Sequence, residues 1–176
     1  MILPFTPLVN QHVINDLRER IAKTRWPDEI ENAGWAYGTN LAYLKELTHY
    51  WQHQFSWRQF EDTINAFPNY IAELDDCKIH FQLIKGRSRS SIPLIVTHGW
   101  PGSYLEMIKL VPLLTQDPEF SFDVIIPSVL GFGYSQKIIA PGCNSAYIAD
   151  RWHGLMQQLG YDKYALQGGG YPSRWS

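Results

Sequence analysis

Cysteine is scarce: Cys77 and Cys143 are the only two in 176 residues. That excludes a disulfide framework, and two free thiols in a reducing compartment are expected. No Cys/His spacing resembles a zinc site, so no metal is expected. Long apolar runs are missing too; no window approaches the roughly 18 residues of a membrane span. The opening Met1-Ile-Leu-Pro-Phe-Thr-Pro has neither a basic region nor a sustained apolar stretch. It does not read as a signal peptide, and a soluble, cytoplasmic protein is expected. Charge of one sign is also lacking: 15 Lys and Arg stand against 17 Asp and Glu, a formal net of −2. Nothing there points to nucleic acid or to an anionic membrane surface as partner. What is abundant is apolar and aromatic: the chain is 45% hydrophobic and carries seven Trp and ten Tyr, a globular composition.

The first third reads as helices. Val9, Val13, Ile14, Leu17 and Ile21 fall on one helical face within 9–24. Asn10 is a candidate N-cap, and Arg25-Trp26-Pro27 ends the run because a residue before Pro avoids the helical region. A second helix is expected from Thr39, as its cap, through Leu41, Leu44, Leu47, Tyr50 and Trp51. A third runs from Trp57 to Ala66, stopped by Phe67-Pro68. The aromatic run Tyr50, Trp51, Phe55, Trp57, Phe60 is expected to be core rather than a binding patch.

The period then changes. Residues 70–74 and 78–84 alternate about the turn chemistry of Asp75-Asp76, which predicts an antiparallel hairpin. Three short apolar runs follow, at 92–97, 122–126 and 164–166. Helical patterns at 104–114 and 145–159 separate them, so the strands are expected to be parallel and joined by crossovers.

Three segments at the ends of those strands carry candidate chemistry. His98-Gly99-Trp100-Pro101-Gly102-Ser103 turns sharply where α/β proteins place ligands. A cis Trp100–Pro101 bond there would aim the Trp100 N–H into a site, where it could stabilise an oxyanion. The same residues also fit a tight turn with no chemistry. His98 tempts as a catalytic base, but its place inside the turn favours structural hydrogen bonding. The other histidines, His12, His49, His53, His80 and His153, are expected on surfaces or in packing. Gly131-Phe132-Gly133-Tyr134-Ser135 holds GxG but not GxGxxG, so a loop passing the same site is favoured over a dinucleotide cradle. Gln167-Gly168-Gly169-Gly170-Tyr171-Pro172 occupies the place of a nucleophile elbow, with small flanking residues but no Ser, Cys or Asp at its tip. Ser173, behind Pro172, is a poor substitute.

Taken together, Arg25-Trp26-Pro27, Trp35, Tyr37-Gly38, Tyr50-Trp51, Phe55-Ser56-Trp57-Arg58, Lys78 to Phe81, His98 to Ser103, Pro127-Ser128 through Ser135, and Gln167-Gly168-Gly169 resemble epoxide hydrolases. The branch is the one with a dedicated N-terminal region, which includes microsomal-type and juvenile-hormone enzymes and microbial relatives. The resemblance implies an α/β class. The expected form is an incomplete α/β-hydrolase fold: a helical region over 1–68, the first part of the core over 69–169 with a hairpin then β-α-β-α-β of a mostly parallel sheet, and an aberrant tail over 170–176.

It also implies a reaction. An Asp nucleophile opens the epoxide and forms an ester, backbone N–H groups of Trp100 and Tyr171 hold the oxyanion, and a His with an acidic partner activates water. Site-lining positions would be His98, Gly99, Pro101, Gly102, Gly131, Phe132 and Gly133. The partner would be a small-molecule epoxide, with no metal or organic cofactor; oligomeric state is not legible.

The departures from the family pattern are Gly170 at the nucleophile Asp and Pro172 at a small position. With lid, acid and base expected beyond Ser176, the chain is expected to be truncated and inactive alone. A retained intron or a faulty gene model is the expected cause, because an Asp codon begins with G and an intron with GT, so reading through after that first base would turn Asp into Gly. Alternatives are a fragment of another α/β-hydrolase, such as a haloalkane dehalogenase or esterase, and a non-catalytic binding remnant.

Overall fold

A computed structural model describes residues 1–139 and 141–169. They divide into two compact units, one of Leu8–Asp62 and one of Met1–Pro7 with the chain from Thr63 onward.

The first unit is helical. Helix α1 (Gln11–Ala22) starts where Asn10 accepts the His12 N–H at 3.2 Å, the expected cap. Its buried residues, Ile14 and Ile21, are one stripe seven apart. Helix α2 (Leu41–His53) is capped by Asn40 rather than Thr39, through the Tyr43 N–H at 3.0 Å. Helix α3 spans Trp57–Asn65. The aromatic run is core only in part: Tyr50 and Trp51 are 48% and 47% exposed, and α2 buries no residue fully. Phe55, Trp57 and Phe60 do pack ring against ring.

Glu61 fastens this unit. Its carboxylate accepts the Val9 N–H at 2.7 Å, the Trp57 indole N–H at 2.7 Å and the Arg58 guanidinium at 2.6 Å. Burial opposes its charge, but these bonds outweigh burial and hold the carboxyl below its ordinary range.

The second unit is a six-stranded mixed sheet in the order β1-β2-β3-β5-β4-β6. The expected hairpin is present as β2 (Asn69–Glu73) and β3 (Lys78–Ile84), paired antiparallel. β3 pairs antiparallel with β5 (Phe122–Pro127). The expected parallel strands follow: β5 beside β4 (Ile92–Thr97), and β4 beside β6 (Ala165–Gly168). Strand β1 (Ile2–Phe5), which periodicity does not signal, pairs with β2 from Ile2↔Ala72 to Phe5↔Asn69. It carries Pro4, a residue tolerated on an edge strand and one that masks a strand pattern.

The expected helix over 104–114 is broken in two. A 3-10 turn, Tyr104–Met107, is capped by Ser103, and helix α4 is only Val111–Thr115. Pro112 has no N–H to give to a continuous helix, so a new helix starts there instead.

Helix α5 (Ser145–Gln158) is capped by Asn144. Ile148, Trp152, Leu155 and Met156 lie on one face and bury against a core that includes Ile79, Phe81, Ile95 and Ile125. Asp76, in the β2–β3 turn, accepts the Tyr147 hydroxyl at 2.8 Å and Arg151 at 2.6 Å, which fixes the first turns of α5 against the hairpin.

Candidate functional site

The carboxyl ends of the parallel strands β4 and β5 and the start of α5 enclose a cleft of about 530 Å3. Its walls are His98, Gly99 and Trp100 after β4, Val129, Leu130 and Phe132 after β5, and Ile138, Cys143, Asn144, Ser145 and Ile148. Among the described residues no Asp, Glu, Lys or Arg lines it. Such a cleft suits an uncharged apolar molecule, because a charged one would lose its hydration without gaining a partner.

The turn after β4 has the shape its residues suggested. The Trp100–Pro101 bond is cis, and Gly102 N–H donates to Gly99 O at 2.7 Å. The Trp100 side chain lies 74% exposed at the rim. His98 is fully buried, and its Nε2 accepts the Val129 N–H at 3.1 Å. That acceptor role puts the ring proton on Nδ1, which faces Gly99 O at 3.4 Å. Burial lowers the pKa of His98, against smaller opposing contributions from Gly99 and Glu106. The imidazole therefore stays neutral and joins the β4 turn to the loop after β5. In this arrangement it acts as a strut between the two turns.

Beneath that loop lies a buried polar knot. His80 and Ser128 are both completely buried. The His80 N–H donates to Ser135 Oγ at 2.9 Å, Ser135 Oγ donates to Ser128 O at 2.7 Å, and the Ser128 N–H donates to His80 O at 2.8 Å. The tautomer of His80 follows from its neighbours. Asn69 gives its amide N–H groups to Ile64 O and Phe67 O, so its oxygen faces His80 Nε2 at 3.0 Å, and Nε2 must donate. Nδ1 is then the acceptor for the Ser128 hydroxyl at 2.8 Å. Burial pushes the His80 pKa down to about 4, so the ring is neutral at ordinary pH.

The knot explains one glycine. Gly133 has φ +50°, and a Cβ there would come within 2.6 Å of Ser128 Oγ and 3.4 Å of the Tyr104 ring. Both its backbone region and its neighbours exclude a side chain. Gly131, at φ +86°, needs glycine for the first reason.

Of the residues expected to line a site, His98, Gly99 and Phe132 wall the cleft together with Trp100. Pro101 and Gly102 belong to the turn beside it, and Gly131 and Gly133 shape the second loop without lining it. Gly170 and Tyr171 lie outside the described residues. Val129, Leu130, Ile138, Cys143, Asn144, Ser145 and Ile148 went unrecognised as site residues. The N-cap character of Asn144, which fixes where α5 starts, could have given a signal.

Comparison with known proteins places this geometry. A family model described as epoxide hydrolase N terminus matches residues 2–107, and one described as alpha/beta hydrolase fold matches residues 92–171. A protein of Stigmatella aurantiaca, whose name marks it as an inferred epoxide hydrolase, is 44% identical over 96% of this chain and 40% of its own length. Epoxide hydrolase 1 of Oryctolagus cuniculus is 37% identical over 96% of this chain and 39% of its own. The crystal structure of juvenile hormone epoxide hydrolase from Bombyx mori superposes with a TM-score of 0.91 at 31% identity, covering 99% of this chain and 48% of that one. The chain thus spans about 40% of the length of these curated relatives. With the N-terminal model matched over more than half its residues and the sheet continuing into the hydrolase core, the chain belongs to the epoxide hydrolase family.

Proposed function

We propose that this chain builds the oxyanion side and the apolar wall of an epoxide-opening site. The observation that carries the reading is the uncharged cleft at the carboxyl ends of β4 and β5, bounded by the His98–Ser103 turn. An epoxide is small, neutral and reactive, so the cleft has to desolvate it and hold it, not neutralise it.

In the reaction the family implies, an Asp carboxylate oxygen attacks an epoxide carbon. The ring C–O bond breaks, the ring oxygen takes a proton from a tyrosine that the family carries on its lid, and an ester remains on the enzyme. Water then attacks the ester carbonyl. Backbone N–H groups of Trp100 and Tyr171 are the proposed donors to the oxyanion that develops in that second step. His98 and the His80 knot keep the two site loops in register, and neither is asked to move a proton. No metal or organic cofactor enters this scheme.

In this sequence Gly170 stands where the family carries the nucleophile. Glycine has no atom that can form the ester, so the 176-residue chain is expected to bind epoxides without opening them. The free thiols Cys77 and Cys143 support a cytoplasmic setting. Among the described residues no helix is long and apolar enough to cross a membrane.

The test is titration of the chain with styrene oxide, and separately with an epoxide bearing a trimethylammonium group, followed by amide NMR. Styrene oxide should shift Val129, Phe132 and Ile148 saturably and yield no diol above buffer, while the cationic epoxide should leave them unmoved. Equal binding of both epoxides would remove the cleft from the reading. Diol formation by clean protein would require a nucleophile elsewhere.

A further inference from the structure

A second cavity, of about 260 Å3, lies within the helical unit and plays no part in the reading above. Its walls are Ile14, Leu17 and Ile21 from α1, Trp51 from α2, Phe55 from the link after it and Trp57 from the start of α3. We propose that this cavity is a separate small-molecule site that takes a compact aromatic carboxylate.

Size and lining set the apolar part of the ligand. A dry cavity of about 150 Å3 lined by aliphatic and aromatic side chains admits benzene, so this one has room for a second fused ring. Three aromatic walls offer stacking and edge contacts to a flat molecule.

Charge sets the other part. Among the described residues Arg18 is the one charged residue that lines the cavity. Its neighbours on α1 are already paired: Arg20 with Asp16 at 3.5 Å and Lys23 with Glu19 at 3.9 Å. The nearby acid, Glu61, is committed to Val9, Trp57 and Arg58. Among the described residues no carboxylate meets the Arg18 guanidinium. A planar fork of N–H donors with no acid opposite it, beside an apolar cavity, matches a ligand with one carboxylate and an aromatic body.

Calorimetric titration of the whole chain with naphthoate and with neutral methylnaphthalene tests this. Naphthoate should bind saturably, about threefold tighter than methylnaphthalene at low salt, the size of an exposed ion pair. Arg18→Gln, at an exposed position, should erase that preference and keep the weaker apolar binding. Leu17→Trp, which fills the cavity, should abolish binding of both. Ile138→Trp, at an exposed position on the wall of the cleft beside β4 and β5, should leave naphthoate binding unchanged. Loss of binding in Ile138→Trp would assign the ligand to the cleft and overturn the proposal. So would a preference for naphthoate that survives Arg18→Gln, or no saturable binding at all. Because epoxide binding is read at the cleft, failure here leaves the reading of the cleft standing, and failure there leaves this one standing.

Discussion

The helical unit and the sheet unit bury their residues in different ways. In the sheet unit Ile79, Phe81, Ile95, Ile125, Leu155 and Met156 are fully covered, and even the polar groups His80 and Ser128 are sealed in with partners. In the helical unit α2 covers none of its residues fully, and α3 is held to the start of α1 by the Val9 N–H on the Glu61 carboxylate and by Arg58 Nη2 on Gln11 Oε1. One unit is stabilised by area removed from water, the other by a few directed contacts. The sheet unit should therefore respond to lost volume, and the helical unit to lost hydrogen bonds.

The largest effect should come from the sheet core. Phe81→Ala should cost about 3–5 kcal/mol in denaturant unfolding, whereas Leu47→Ala on the exposed face of α2 should cost under about 0.5 kcal/mol. Similar losses at the two sites would erase the contrast.

Acid comes next. His80 is held neutral down to about pH 4, while the unfolded chain protonates its histidine near 6.5. Its contribution is complete above pH 6.5 and drains away as pH falls toward 4, by about 3 kcal/mol in total. The difference in unfolding free energy between pH 7 and pH 4.5 should be larger in the wild type than in His80→Gln. Equal differences would mean that the ring protonates in the folded state.

Glu61→Gln should cost about 1–3 kcal/mol, since it weakens three contacts at a buried group, and the loss should register in the helical unit by hydrogen exchange. Asn40→Ala should cost about 1 kcal/mol through the lost α2 cap. Asp76→Asn should be the mildest, below about 1 kcal/mol, because the Arg151 pair is partly open to water.

Much of the sheet was legible because its signals are local. Alternation in 70–74 and 78–84, short apolar runs at 92–97 and 122–126, and glycines at turns needing positive φ each write themselves into a few consecutive residues. The cis Trp100–Pro101 turn was legible for the same reason. What was missed depends on distant partners. Strand β1 contains Pro4 and is recognisable only once β2 is beside it. Pro112 divides a stretch whose apolar spacing still looks continuous. Cys143, Asn144 and Ile148 reach the cleft because α5 packs across the sheet, a placement that no spacing encodes. The half-exposed aromatics of α2 show the reverse case: helical periodicity marks an apolar face and does not say what covers it.

Strand β1 has a further consequence. Because residues 2–5 lie in the sheet and Asn65 Nδ2 donates to Pro7 O at 3.0 Å, the chain leaves the sheet unit and re-enters it at one point. Residues 8–62 are in effect an insertion in the sequence between β1 and the rest of the sheet unit. Linear trimming from the start of the chain would strip an edge strand from the sheet before reaching the helices. Joining Pro7 to Thr63 through a short glycine linker would instead spare the strand, remove α1 and α2 and cut α3 after Asp62. Trimming and excision therefore make opposite demands on the same sheet edge.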